Sequence, residues 1–68
     1  MNKEYAQTRI IEIEYEIANM ELEREKLIAK IKNMLDSVII SQIDDRIKEL
    51  SDMIQDKTFI LNTIRLYA

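Results

Sequence analysis

Two heptad ladders run through this chain, and the second is out of phase with the first. Both ladders alternate steps of three and four residues, the spacing that keeps one face of an α-helix apolar. The chain contains no Gly and no Pro to interrupt either ladder. The first ladder consists of Ala6, Ile10, Ile13, Ile17, Met20, Arg24, Leu27, Ile31 and Met34, and the second of Ile40, Ile43, Ile47, Leu50, Ile54, Lys57, Leu61, Ile64 and Ala68. The pattern predicts two long helices, each with one apolar seam.

The break between the ladders indicates a reversal of the chain. The first ladder would continue at Val38, but the second begins at Ile40, a slip of two residues that neither a stutter nor a stammer explains. If the chain turns back on itself, seam residues at the same level have numbers that add to 74. Half of that sum falls on the polar pair Asp36 and Ser37, which are residues suited to a turn or a helix cap.

We therefore predict an all-α fold, an antiparallel two-helix hairpin similar to a coiled coil. A single domain covers residues 1–68, with the first helix at about 2–35, the turn at about 36–37 and the second helix at about 38–66. Asp36 or Ser37 is expected to cap the second helix. A chain of this length buries only about 60% of its unfolded surface, so association with another chain is the expected source of further stability.

The amino-acid composition argues against several classes of protein. The chain has no His and no Cys, so we predict neither a zinc site nor a general base that works near neutral pH, and no cofactor. The absence of Cys fits a cytoplasmic protein. The sequence has no apolar run long enough to span a membrane. Carboxylates that lie four residues apart could hold a hard cation, but a solvated acidic flank is the preferred interpretation of Glu12, Glu14, Glu16, Glu21, Glu23 and Glu25.

The charge balance argues against a nucleic-acid partner. The chain carries 10 basic and 13 acidic residues, a formal net charge of -3, whereas binding to phosphates needs clustered cations. A small nucleic-acid-binding dimer of helical hairpins stays as an alternative. Its contacts would come from Lys26, Lys30, Lys32, Arg46 and Lys48.

The first helix carries a second apolar face, which predicts a partner. This face lies almost opposite the seam and consists of Ile11, Tyr15, Ala18, Leu22 and Ala29. A helix with two apolar faces contacts two neighbours. We expect the hairpin to dimerise through this face into a four-helix bundle, or to use the face for docking a different protein. A further contact patch is predicted at the end of the hairpin that holds both termini, at Phe59, Leu66 and Tyr67.

Two cations interrupt the seams, Arg24 on the first and Lys57 on the second. A charge in such a position can set the register or the oligomeric state. The alternative is that the aliphatic stems pack while the charges reach solvent. In that case we expect Arg24 to reach Glu21 or Glu25, and Lys57 to reach Asp56 or Glu16.

One short segment at the start of the second helix is a candidate for a catalytic site. Ser41, Gln42, Ile43, Asp44 and Asp45 resemble the S-Q-E-L-D motif of small helical-hairpin phosphatases that act on the aspartyl phosphate of a sporulation response regulator. The resemblance would place the catalytic carboxylate at Asp45, on the outer surface, and would count Arg24 and Leu27 as the family's Arg and Leu on the first helix. Ile43 and Asp44 depart from the motif, where the family has Glu and Leu. Ordinary capping of a helix start is the alternative explanation.

The expectation from the sequence is a non-enzymatic protein–protein interaction module. It would act as an adaptor, inhibitor or assembly factor, docking through a helix face as a homo-oligomer. The aspartyl-phosphate phosphatase and the nucleic-acid-binding dimer are the alternatives.

Overall fold

A computed structural model describes residues 2–68 and shows a helical hairpin. Over these residues the chain forms two helices, α1 (Lys3–Ile31) and α2 (Ser37–Arg65), and no strand. The two helices pack against each other along their length, in a rod with principal extents of 51 × 14 × 11 Å. The predicted all-α two-helix architecture is confirmed.

Both helices begin at a polar cap. Asn2 Oδ1 accepts hydrogen bonds from the backbone amides of Glu4 and Tyr5, at 2.8 and 3.2 Å. Asp36 Oδ1 accepts from the amides of Val38 and Ile39, at 2.9 and 3.3 Å. Each cap satisfies two of the amides that a helix start leaves unpaired. Of the two predicted caps for the second helix, Asp36 is the one used.

The first helix ends earlier than the sequence pattern predicts. α1 stops at Ile31, four residues before the expected end at 35, and the connection occupies 32–36 instead of 36–37. Tight i→i+3 bonds close α1, from the amide of Asn33 to Lys30 and from that of Met34 to Ile31. No residue within 2–68 has a positive φ. A tight reversal commonly needs a left-handed residue, usually Gly, so this chain turns over a longer segment. The second helix begins and ends within one residue of its predicted limits.

The core consists of seam residues from both ladders. Ala6, Ile13, Leu61 and Ile64 form a buried cluster against which Ile10 and Ile17 pack, and Leu50 is fully buried further along. Two of the four polar side-chain pairs between the described helices lie close to the predicted register, whereas Glu23 with Arg46 and Glu14 with Arg65 have numbers that add to 69 and 79. Arg24 contacts Ser51 and Glu16 contacts Lys57, pairs whose numbers add to 75 and 73.

Burial along the seam is uneven. The buried cluster lies in the half of the hairpin that holds the termini, whereas Leu27, Ile31, Ile40 and Ile43, near the turn, are half-buried. Two helices enclose a seam from two sides only, and a covering layer is absent on the others. The end that holds the turn is therefore the less consolidated half of the core.

Candidate functional site

The second apolar face of α1, which we call the α1 stripe, faces away from α2. It consists of Ile11, Tyr15, Ala18, Leu22 and Ala29. Ile11 and Tyr15 are each 69% exposed and Leu22 is 49% exposed, and both alanines are exposed as well. At about 100° per residue, the stripe is centred roughly 150° around the helix from the seam. α2 therefore cannot cover it.

The α1 stripe follows a heptad ladder of its own. Its members step by four, three and four residues from Ile11 to Leu22, and Glu25 fills the next position before Ala29. In the other direction the ladder continues to Thr8 and Glu4. These three polar members were not recognised from the sequence, although the same heptad count finds them. The ladder thus has an apolar centre from Ile11 to Leu22 that is flanked by Thr8 and Glu25, and it runs nearly the length of α1.

Ion pairs link α1 and α2 on a side of the hairpin that lies away from the α1 stripe. Lys57 Nζ lies 2.5 Å from Glu16 Oε2, and Arg9 Nη1 lies 3.6 Å from Glu16 Oε1. The ammonium group of Lys57 beside the carboxylate, together with the charge of Arg9, lowers the pKa of Glu16 although partial burial opposes the shift. Lys57 therefore pairs at the edge of the seam with Glu16, one of the two partners that the snorkelling interpretation gives it.

A second set of charges lies on the same side, nearer the turn. Arg46 Nε donates to Glu23 Oε2 at 2.8 Å, and Arg46 Nη1 also pairs with Glu49. The hydrogen bond from Arg46 lowers the pKa of Glu23, and that same bond raises the pKa of Arg46. These charges are satisfied within the hairpin, so this side is a weaker candidate than the α1 stripe for apolar contact.

Arg24 finds a partner other than the predicted ones. Its Nη1 donates to Ser51 Oγ at 3.2 Å across the seam, in a partly buried position. The expected partners, Glu21 and Glu25, lie on α1 itself and away from the seam. Because Arg24 points towards α2, its guanidinium meets a polar side chain of α2 instead.

The predicted contact patch at the end with the termini is strongly exposed. Phe59 and Leu66 are 73% and 82% exposed, and their spacing of seven places them on one side of the second helix and its C-terminal cap. Tyr67, in the turn that follows α2, is 60% exposed. This terminal patch lies on the far side of the hairpin from the α1 stripe.

The segment that resembles the phosphatase motif lies in the first turns of α2. Ser41, Gln42 and Asp45 are exposed there, and Asp44 pairs with Lys48 at 3.2 Å. Capping does not explain these residues, because Asp36 caps α2. Arg24, the cation that the resemblance would add, contacts a residue about 9 Å further along α2 than Asp45. The structure therefore does not bring Arg24 and Asp45 together.

The residues of the other predicted sites are dispersed or paired. Lys26, Lys30 and Lys32 are exposed, but Arg46 and Lys48, the other two candidate contacts for nucleic acid, form ion pairs with carboxylates. On the acidic flank, Glu12 pairs with Arg9 and Glu14 with Arg65. Within residues 2–68 no three carboxylates gather closely enough to hold a metal ion, and there is no pocket. Neither of the described helices is long and apolar enough to cross a membrane.

Comparison with known proteins adds no relative to this description. No protein-family model, no curated protein and no solved structure matches the chain. The class of the protein is therefore stated from its own structure. It is a two-helix all-α hairpin whose first helix presents a second apolar stripe.

Proposed function

We propose that this hairpin is a non-enzymatic protein–protein interaction module that docks a second copy of itself through the α1 stripe. The observation that supports the proposal is the exposure of Ile11 and Tyr15, each 69%, on a heptad ladder that α2 does not cover. Single exposed apolar residues are ordinary on protein surfaces. A regularly spaced row along most of a helix is typical of a helix that packs on a second neighbour.

The exposed area of the stripe predicts the strength of the association. Full burial of a large apolar side chain gains about 1.5–3 kcal/mol. Scaled by the exposures of Ile11, Tyr15 and Leu22, the gain is about 4 kcal/mol per copy, or about 8 kcal/mol for a symmetric pair. Association itself costs at least about 4 kcal/mol. With a cost near that lower limit, the net gain is about 4 kcal/mol and the dissociation constant is about 1 mM, so the dimer depends on concentration.

The geometry supports a particular arrangement of four helices. Because the α1 stripe lies nearly opposite the seam, the two α1 helices of such a dimer pack at its centre, with an α2 helix on each outer side. The terminal patch, on the outer α2 helices, stays uncovered. This layout suits an adaptor or assembly factor, because one surface serves self-association and another stays free to contact a different protein.

Sedimentation equilibrium tests the proposal directly. Over about 10 µM to 2 mM, the range set by the predicted affinity, the mass should rise from 8.1 kDa towards twice that value. Tyr15→Glu should abolish the rise, because it places a charge at the centre of the stripe. A wild-type mass that stays at 8.1 kDa throughout refutes self-association.

Phe59→Glu provides the matched control. Phe59 is as exposed as Tyr15 but lies on the other side of the hairpin, so this variant should dimerise like the wild type. Equal losses in both variants would show that the wrong surface is assigned. Circular dichroism of each variant at low concentration checks that the hairpin is still folded.

A further inference from the structure

We infer that the second copy docks antiparallel to the first, with a two-fold axis that passes between Glu16 and Ile17 of α1. This inference rests on the proposed self-association through the α1 stripe and specifies its register. In an antiparallel pair with this axis, residues at the same level have numbers that add to 33. The ladder alternates two heptad positions. In such a pair each residue at one position lies opposite a partner residue at the other position, as antiparallel packing of seams requires.

The sizes of the side chains favour this arrangement. Tyr15, the largest member of the stripe, lies opposite the partner's Ala18, and Ile11 lies opposite the partner's Leu22. With their symmetric copies these contacts form four successive apolar layers, and in the two central layers the largest side chain meets a small one, the alternation that fills space well. A parallel pair would instead set Tyr15 against the partner's Tyr15 and Ala18 against the partner's Ala18. One layer would then be overfilled and the next layer empty.

The polar ends of the ladder favour the same arrangement. In the antiparallel pair Glu25 lies opposite the partner's Thr8, whose hydroxyl can donate to the carboxylate. In a parallel pair Glu25 would face the partner's Glu25 within the seam. Two opposed carboxylates in a partly desolvated position repel each other.

The length of α1 distinguishes this antiparallel register from its neighbours. The helix runs from Lys3 to Ile31, so its middle is Ile17, half a residue from the proposed axis. With that axis, α1 overlaps its copy over almost the whole of its 29 residues. A slip by one heptad in either direction would shorten the overlap by more than a turn. One such slip would also set Tyr15 against the partner's Glu25, which interrupts the apolar layers.

The charges beside the stripe both support and oppose the pair. Glu12 comes to lie between the partner's Asn19 and the partner's Lys26, a favourable setting for a carboxylate. Glu14, however, comes to lie on the same flank as the partner's Glu21, about 3 Å from its level along the axis. Within the hairpin Arg65 Nη2 lies 3.3 Å from Glu14 Oε1 and so reduces the repulsion. The opposing contact makes a useful test, because its removal should strengthen the dimer.

Disulfide trapping tests the register, and the chain is suited to it because it has no cysteine of its own. Three variants are prepared, Ile11→Cys, Leu22→Cys and Ala29→Cys. In each mixture one variant carries a tag, so that a covalent dimer of two different variants differs in mass from a dimer of one variant. Each is oxidised alone and in pairwise mixtures at a concentration where the wild type is dimeric. A disulfide needs Cα atoms within about 7 Å. Two Ile11→Cys chains in the proposed dimer hold their sulfurs about 16 Å apart along the axis.

The inference expects covalent dimers from the mixture of Ile11→Cys with Leu22→Cys and few from either variant alone. Efficient trapping of each variant with itself would show a parallel pair. Trapping of Ile11→Cys with Ala29→Cys, but not with Leu22→Cys, would show the register slipped by a heptad. Both results overturn the inference while leaving the proposed function intact. A wild-type chain that remains monomeric by sedimentation would instead overturn the proposed function, so the two failures are distinguishable.

A charge reversal gives a second, independent measurement. Glu21→Lys should tighten an antiparallel dimer by about five-fold, because two repulsive contacts with Glu14 become attractive. In a parallel dimer the same change would set the introduced ammonium group beside the partner's Lys26 and weaken association. Glu49→Lys, on α2, changes the net charge equally without touching the stripe. A weaker Glu21→Lys dimer, corrected by that control, would refute the antiparallel arrangement.

Discussion

Removal of the Leu50 side chain tests whether the two-ladder seam is the core of this protein. Leu50 and Ile13 are the largest fully buried side chains, and Leu50 lies on α2 with half-buried neighbours on the same seam, Ile47 and Ile54. Leu→Ala in a buried site costs the transfer free energy of the lost carbons and that of the cavity left behind, about 2–5 kcal/mol. Because the half-buried neighbours can move into the space, we expect about 3 kcal/mol, towards the lower part of that range.

That loss is large relative to the stability of so short a chain. At roughly 0.05–0.15 kcal/mol per residue, 68 residues give a free energy of unfolding of about 3–10 kcal/mol. Leu50→Ala should therefore leave a markedly less stable hairpin. Urea unfolding followed by circular dichroism at 222 nm measures the difference, and an unchanged slope with denaturant shows that the comparison is sound. The protein is kept at about 5 µM, below the predicted dissociation constant, so that association does not contribute.

Leu66→Ala is the control, because Leu66 is 82% exposed. A surface substitution of this kind changes stability by less than about 0.5 kcal/mol. The assignment of the core fails if Leu50→Ala loses less than about 1 kcal/mol, or if both variants lose the same amount.

Three further changes have directions that the structure predicts. Asp36→Ala removes the cap of α2 and should lower the free energy of unfolding by about 1 kcal/mol in the same urea titration; no change would show that the cap bonds contribute little. Because the pKa values of Glu16 and Glu23 are lowered in the folded chain, their stabilisation is complete above the unfolded value of 4.5 and is lost as the pH falls through the lower folded values. Thermal melts from pH 7 to pH 2 should show this decline, and Glu16→Gln with Glu23→Gln should flatten it; an equally steep decline in the double variant contradicts the assignment. Arg24→Leu should stabilise the hairpin by about 1 kcal/mol, since an apolar side chain then fills the seam; a loss would show that the bond to Ser51 outweighs apolar packing.

Local features of the sequence were sufficient to predict the two helices and the seam of each. Heptad spacing is a property of neighbouring residues, so the two ladders and the slip between them indicate two helices without knowledge of any distant contact. The ladder positions also predicted which face of each helix is buried, as the burial of Ile13 and Leu61 shows. The cap at Asp36 was predictable for the same reason, because a cap binds amides only two and three residues away.

Only the tertiary structure decided which side chains pair when the two residues lie far apart in the sequence. Arg24 bonds to Ser51, 27 residues away, and not to the glutamates of its own helix. Arg46 and Glu23 are 23 residues apart and Arg65 and Glu14 are 51 apart, so their pairing depends on how the helix flanks align.

The sequence by itself determined two helices and the seam of each, because periodicity is local. The tertiary structure decided where α1 ends, since a reversal made without a left-handed residue needs the five positions 32–36. It also decided that α2 leaves the α1 stripe uncovered, with Tyr15 69% exposed. A second apolar face can be seen in the sequence, but whether its own chain covers it depends on the direction from which the other helix approaches.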